Sequence, residues 1–411
     1  MKSFDITLGH GIELHKGNLF WISTTDKARF YPELDHDISC DICIIGGGMS
    51  GAILSHQLST AGFQVAVLDK MQPATGSSLG NTGMIQYHSD RGLKDFIQIE
   101  GNQAGRDFYQ LCHDAMMKLD DIVYHLEEDV GYRPIESIYI TDEIRLEDEF
   151  RQEAEVLMQH DFPAEYLSKD VLKQKYGLSG EHGMLTRHDA TLNPYKMIHA
   201  LLAQAMTQGG QIYGNSPVRR VVRRADETKI TVSTDKGYTV TADHVIFCTG
   251  YLESFDALRG KDKLHSTYSL VTHPIEGELW DQERMIWDAK EAYLYFRVTE
   301  DHRIIVGGLD EDNPELQDMT MINRKAGQLM EQMKRYYPEL EAEPHYIWQS
   351  VFGVSRDEKP FIGRDPELDH VYYALGYGGN GTCYSLAAAD IILSQLRGQQ
   401  HPYAYVVAPG R

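Results

Sequence analysis

The chain has 411 residues, with 61 Asp and Glu against 39 Lys and Arg, for a formal charge of −22 at pH 7. That balance excludes a nucleic-acid binder, whose phosphate contacts need a basic footprint, and it disfavours anionic membrane surfaces. The length leaves room for two or three domains' worth of core. No apolar run is long enough to span a bilayer, and residues 1–23 lack the basic, apolar and small-residue order of a signal peptide.

Residues 1–40 read as an N-terminal extension, aromatic and polar, with Trp21 and Tyr31-Pro32, expected to wrap along a domain surface. The apolar run Ile42 to Ile45 then enters Gly46-Gly47-Gly48-Met49-Ser50-Gly51, spaced G-x-G-x-x-G. A helix-compatible segment, Ala52 to Ala61, follows, and then a second strand, Gln64 to Leu68, closed by Asp69. This is the pattern of a dinucleotide-binding βαβ unit. Gly46 permits the tight turn, Gly48 the approach to a pyrophosphate, and Gly51 close helix–strand packing. The helix N-terminus offers free amides to phosphate, and Asp69 can accept from ribose hydroxyls. Cys40 and Cys43 form a C-x-x-C at the entrance of the first strand, where side chains three apart are expected on opposite faces. With Cys112, Cys248 and Cys383 they make an odd, scattered set, which fits a reduced cytoplasmic protein and no metal site.

Thr75 to Ile85 is a loop of small, hydroxyl-bearing and glycine residues, suited to close approach to a flat ligand. Two helices are expected across Leu93 to Glu128, a short strand at Ser137 to Ile140 and a polar helix from Arg145 to His160. Asn193-Pro194 opens another helix, which stops at Gly209-Gly210. Pro217 to Val222, Lys229 to Ser233 and Tyr238 to Thr241 read as an antiparallel ribbon. A buried strand then runs from Asp243 to a second glycine turn, Cys248-Thr249-Gly250. Long strands follow at Thr267 to Pro274, Ala292 to Val298 and Arg303 to Leu309, with a helix from Ile322 to Tyr336. The chain closes with Asp357-Glu358-Lys359-Pro360-Phe361-Ile362-Gly363, a strand from Val371 to Leu375, Gly376-Tyr377-Gly378-Gly379-Asn380-Gly381-Thr382, and a helix from Ser385 to Leu396.

Four of these signals together resemble the FAD-dependent D-amino-acid oxidase family, which includes glycine oxidase, sarcosine oxidase and gamma-glutamylputrescine oxidoreductase. They are the G-x-G-x-x-G unit, the hydroxyl–glycine loop, the Cys248-Thr249-Gly250 strand end, and the D-x-x-P-x-I-G run followed by G-Y-G-G-N-G and a helix. The resemblance implies an α/β fold, with a Rossmann-like FAD-binding domain (41–105, 168–262 and 350–411) interleaved with a mixed, mainly antiparallel substrate domain (106–167 and 263–349). Some sarcosine-oxidase-like members attach flavin through a cysteine near the active site; none falls within Trp348 to Lys359 here, so FAD is expected to be non-covalent. Gly46, Gly48, Met49, Ser50 and Gly51 would lie at the pyrophosphate, Asp69 and Lys70 at the adenosine ribose, and Val218 at the adenine. Thr249 and Gly250 would pass near the phosphates, with Ser77, Ser78, Asn81, Thr82 and Gly83 along the ribityl chain and flavin. Gly379, Asn380, Gly381 and Thr382 would meet the pyrimidine end, where a helix N-terminus offsets the negative charge of the reduced ring.

The implied activity is oxidation of an amine or amino-acid-derived C–N bond, with oxygen or a quinone or carrier as electron acceptor. A flavin dehydrogenase of hydroxy acids or polyols and a non-catalytic flavin protein are the alternatives. Candidate catalytic residues are Tyr87, His88, Tyr268, Tyr293 and Arg356. Glycine oxidase holds its substrate carboxylate with arginines at two positions that are Phe352 and Gly379 here. A free α-amino acid therefore loses ground unless Arg356 or Arg297 replaces them. Arg297 shares a strand face with Tyr293 and Tyr295 by the period of two.

Overall fold

The computed structural model describes residues 3–9, 12–26, 29–251, 262–280, 283–290 and 293–411. Two sheets organise these residues. At the centre of the first lies Ile38–Ile45, paired in parallel with Val65–Leu68 on one side and Thr239–Phe247 on the other. Gln211–Tyr213 extends this sheet beyond Val65–Leu68. Val371–Leu375 runs parallel to the end of Thr239–Phe247. Ile42, Cys43 and Ile44 are fully buried, as expected for a strand covered on both faces. One covering layer is the helix Met49–Thr60, which packs on Pro194–Thr207 and Gly381–Leu396.

Val218–Arg223 and Ile230–Thr234 form the expected ribbon, but its third strand is not separate. Residues 239–247 are one strand, antiparallel to the ribbon at its start and parallel to Ile38–Ile45 along its length. The two cysteines of the C-x-x-C do not face apart. The amides of Asp41 and Ile42 both donate to the Gln64 carbonyl, at 2.9 and 3.1 Å. That irregularity shifts the alternation, so Cys40 and Cys43 join one buried cluster. All five cysteines are free and buried.

The second sheet runs, in spatial order, through His15–Asn18, Pro344–Ser355, Asp262–Thr272, Ile304–Glu311, Leu294–Val298, Met285–Asp288, Arg133–Thr141, His182–Thr191 and Met84–Ile85. Every described pairing in it is antiparallel except Met285–Asp288 with Arg133–Thr141. The helix Met319–Tyr336 closes its outer face. Ile322, Ala326, Leu329, Met333 and Tyr336 recur at helical spacing and are buried. Asp318 caps the helix, accepting from the Met321 amide at 2.9 Å. Leu93 to Tyr124 forms three helices rather than two, because Gly101, at φ +91°, breaks the first from the second.

The chain divides between the sheets differently from the expected boundaries. His182–Thr191, Met84–Ile85 and residues 350–355 belong to the second sheet, although they fall within segments assigned to the nucleotide domain. The N-terminal extension joins both sheets: Phe4–Thr7 pairs with Val218–Arg223, and His15–Asn18 pairs with Pro344–Ser355. No helix of the described residues is long and apolar enough to cross a membrane.

Candidate active site

An elongated cavity of about 710 Å³ lies between the two sheets, within the size range of small-molecule sites. Its floor begins at the Gly46 turn. Gly46 sits at φ +112°, and a Cβ there would lie 2.2 Å from the Cys248 carbonyl oxygen. A Cβ on Gly51 would lie 1.8 Å from the Gly46 carbonyl oxygen. Both positions therefore require glycine, and the helix seats directly on the turn. Gly48, Met49 and Ser50 line the cavity, whereas Gly51 supports the turn from behind it. No side chain of the N-cap residue Gly48 caps the helix; the Met49 amide donates to Ser78 Oγ at 3.0 Å.

Asp69 and Lys70 line the same end. Asp69 accepts from the Gly47 amide at 2.6 Å and the Met71 amide at 2.8 Å. Burial raises its pKa above the ordinary carboxylate value, partly offset by those two amides. Val218, Thr249 and Gly250 complete this half.

Ser77, Ser78, Asn81 and Thr82 line the middle of the cavity from a loop pinned at several points. Trp21 Nε1 donates to the Asn81 carbonyl at 2.5 Å, and Trp348 Nε1 to the Gly80 carbonyl at 3.2 Å. The Gly83 amide donates to Asn81 Oδ1 at 2.6 Å. Gly83 itself, at φ +72°, packs against the Leu192 carbonyl rather than the cavity. Gly379, Asn380, Gly381 and Thr382 line the far side. The helix expected from Ser385 starts four residues earlier, at Gly381, so Gly381 and Thr382 are its first turn. The Asn380 side chain does not cap it; Nδ2 donates instead to the His88 carbonyl at 2.9 Å. First-turn amides have no intrahelical acceptor, so this N-terminus presents positive charge at the cavity wall.

Four buried polar atoms on lining residues have no partner: Thr249 Oγ1, Ser350 Oγ, Tyr377 OH and Asp310 Oδ1. Buried polar groups are nearly always satisfied.

Of the expected catalytic residues, only Tyr293 lines the cavity. Tyr87 is buried among Tyr109, His113 and Phe162. His88 is buried with Nε2 3.6 Å from Glu153, a carboxylate occupied in capping Leu93 and Lys94 at 2.6 and 3.0 Å. Tyr268 turns away to donate to Glu311 at 2.8 Å. Arg356 is exposed and lies outside the lining. Arg297 shares the Tyr293 face but is buried, donating to the carbonyls of Thr82, Val298 and Leu192 at 2.9, 3.3 and 3.1 Å. It braces the hydroxyl–glycine loop and does not reach a substrate.

Sequence reasoning missed Asp90, Asp310, Thr267 and Gln86, and gave Tyr295 no role of its own. Asp90 is exposed and lines the cavity. Tyr293 OH lies 3.4 Å from Asp90 Oδ1. A Cβ on Gly379 would sit 3.6 Å from Asp90 Oδ2. Burial pushes the Asp310 carboxyl up to about 6, the Thr267 hydroxyl opposes this, and Asp90 adds repulsion. Although Asp90 keeps exposed surface, the atoms packed around its carboxyl desolvate it enough to raise it too, and Glu358 adds repulsion. Among the described lining residues the basic side chains are Lys70 and Arg219, both next to lining residues of the nucleotide half. Phe352 is also in the wall.

Residues 41–395 match the DAO family model, described as FAD dependent oxidoreductase. Gamma-glutamylputrescine oxidoreductase of Escherichia coli (strain K12) is 22% identical over 400 residues, covering 92% of this chain and 88% of that protein. Glycine oxidase of Bacillus licheniformis is 22% identical over 374 residues, 87% of this chain and 93% of that one. In fold, the crystal structure of glycine oxidase from Geobacillus kaustophilus superposes with a TM-score of 0.77 at 17% identity, over 91% of this chain and 99% of that one.

Two expectations follow. The N-terminal strap lines the cavity through Leu8, Glu13 and Leu14, and both leucines are buried. Full burial of a leucine contributes roughly 2 kcal/mol, so deleting residues 1–18 should weaken ligand retention about tenfold or more, measured as release from the cavity on dilution. Unchanged retention would contradict the strap's role. Arg297→Met should lower thermal stability by about 2–4 kcal/mol, because it strands buried carbonyls. A shift in substrate choice at unchanged stability would restore Arg297 to the binding site.

Proposed function

The chain belongs to the DAO family of FAD-dependent oxidoreductases, and from that premise we propose that it oxidises the C–N bond of a cationic amine lacking a free carboxylate. The close glycine approaches and the two helix N-termini at the cavity wall fit FAD laid along the cavity. In this reading Gly46, Gly48, Met49 and Ser50 hold the pyrophosphate, with Thr249 and Gly250 beside it. Asp69 and Lys70 serve the adenosine ribose and Val218 the adenine. Ser77, Ser78, Asn81 and Thr82 follow the ribityl chain, while Gly379 to Thr382 meet the pyrimidine edge. When bound, FAD supplies a two-electron acceptor for hydride. The Gly381–Leu396 N-terminus then stabilises negative charge on the reduced ring. The cofactor stays non-covalent: Cys248 is the described cysteine in the lining, and burial raises its pKa so far that its thiol remains protonated.

The observation that carries the substrate reading is the charge of the second-sheet half. A carboxylate-bearing substrate needs an arginine fork. By the family resemblance Phe352 and Gly379 stand where glycine oxidase would place its arginines; both line the cavity, and Asp90 stands beside Gly379. A substrate carboxylate would meet like charge, and a phosphate would fare worse, which weighs against the hydroxy-acid and glycerol-phosphate alternative. Tyr293 and Tyr295 line this half, and aromatic rings attract ammonium groups. The Ile304–Glu311 strand has no lysine to assist oxygen, which favours a quinone or carrier as acceptor. The free, buried cysteines support a reducing compartment, the cytoplasm.

Anaerobic mixing with alkyl amines should bleach the flavin absorbance, while glycine and D-alanine at equal concentration should not. Bleaching by the amino acids alone would overturn the substrate assignment. Asp310 is held protonated up to about 6 by burial, so its charge appears above that pH. The KM for a cationic amine should therefore fall as pH rises through about 6, and Asp310→Asn should flatten that limb. A KM that rises across the same interval would contradict the assignment.

A further inference from the structure

A buried chain of hydrogen bonds runs inward from the cavity wall. Met84 and Gln86 line the cavity, while Ile85 and Tyr87 are buried in the core, the period-two alternation of a strand. Gln86 is 7% exposed, and its Nε2 donates to Ser137 Oγ at 3.1 Å. Ser137 lies on Arg133–Thr141 and is fully buried. A bulge faces it: Ile135 pairs with Asp189 and Ser137 with Thr186, so the partner strand advances three residues against two. His188, at φ +71°, lies within the bulge. Strand residues three apart normally face opposite sides, and the extra residue turns Thr186 and Asp189 to the same one. Thr186 donates to Asp189 Oδ2 at 2.8 Å, and Ser137 donates to the same oxygen.

This chain has a direction. Burial pushes the Asp189 carboxyl up to about 6, and the two hydroxyls oppose that rise, so above that pH it only accepts. Ser137 has one proton, and the carboxylate takes it, because a lone pair set against a buried negative charge is repelled. Donation to Thr186, 2.9 Å away, would use the same proton. Either way Ser137 can only accept from Gln86. Of the two ways to turn the amide, the chain permits the one with Nε2 inward, and Oε1 is the end left over. Oε1 has no donor among the described residues and remains within reach of water. We infer that Gln86 is a substrate-binding residue whose Oε1 accepts a hydrogen bond from an N–H of the amine, with Ser137 and Asp189 as positioning residues that fix its amide. The substrate nitrogen must therefore carry at least one hydrogen, so primary and secondary amines are favoured. This rests on the amine-oxidising reading. An amide oxygen is uncharged, so it accepts both from the ammonium that arrives and from the neutral amine that reacts. It repels carboxylate and phosphate oxygens, which bring only lone pairs.

The test is anaerobic calorimetry on holoprotein pre-reduced with dithionite, so that binding is read without turnover. The ligands are butylamine and its N-methyl, N,N-dimethyl and N,N,N-trimethyl derivatives, all cationic at one pH just above 7. Charge is constant along the series, and only the last methyl removes the final N–H. The largest loss of affinity should fall at that last methyl, by about tenfold. Gln86→Met keeps the side chain's length, removes the acceptor and should even out the series. Ser137→Ala keeps Gln86 but frees its amide to turn, and should shrink the last step. An even decline along the wild-type series overturns the inference, whether or not the variants fold. A last step that survives Gln86→Met overturns it too, and one that survives Ser137→Ala removes the positioning role. If amines bleach the oxidised flavin but the series declines evenly, the Gln86 assignment is wrong and the enzymatic reading stands. A last step lost in Gln86→Met, with no bleaching by any amine, keeps Gln86 as an N–H acceptor and removes the enzymatic reading.

Discussion

The contact on which the site depends is between two stretches of backbone. Ile38–Ile45 and Thr239–Phe247 run parallel and in register to their last residues, so the turns that follow them arrive side by side. Gly46 meets the Cys248 carbonyl where a Cβ would be 2.2 Å away, and Gly51 meets Gly46 more closely still. Any side chain at either place would push the Met49–Thr60 helix off its strand. With glycine at both, the helix N-terminus lies in the cavity wall beside Thr249 and Gly250. The same sheet, through Val371–Leu375 beside Thr239–Phe247, delivers the Gly376–Thr382 turn to the other end. One register thus aligns two helix N-termini along a single cavity, and both favour negative charge.

The second sheet contributes chemistry of opposite sign. Its strands bring hydroxyl, ring and carboxylate residues to the cavity lining, and the buried Arg297 is bound to main-chain carbonyls. The N-terminal strap ties the two sheets together by pairing with an edge of each. Two halves with different charge therefore enclose one volume, amide-rich on the first sheet's side and acidic and aromatic on the second's.

The nucleotide half was legible because local backbone geometry writes itself into sequence. A turn needing positive φ or close approach leaves a glycine, and the run of small residues from Thr75 marks a loop that packs against something flat. The substrate half was less legible. Nothing local separates Asp90 and Asp310 from the other acids of a strongly acidic chain; they meet only because the Ile304–Glu311 strand and the 84–90 segment fold onto one cavity. Tyr87, His88 and Tyr268 looked equally suited to catalysis, but packing turned each into the core or towards another partner. Arg297 was placed on the correct face by strand alternation, yet its hydrogen bonds to Thr82 and Leu192 are visible only in three dimensions. The expected opposition of Cys40 and Cys43 failed for a local reason, the paired amides at Asp41 and Ile42, which no residue type announces.

The central claim is that turns far apart in the chain share one elongated, non-covalently held cofactor. It is tested most directly by denaturing the purified protein with acid and assaying the flavin in the supernatant. The account predicts intact FAD at one molecule per chain, all of it soluble after the protein precipitates. Absence of flavin, or flavin that stays with the precipitate, would contradict it.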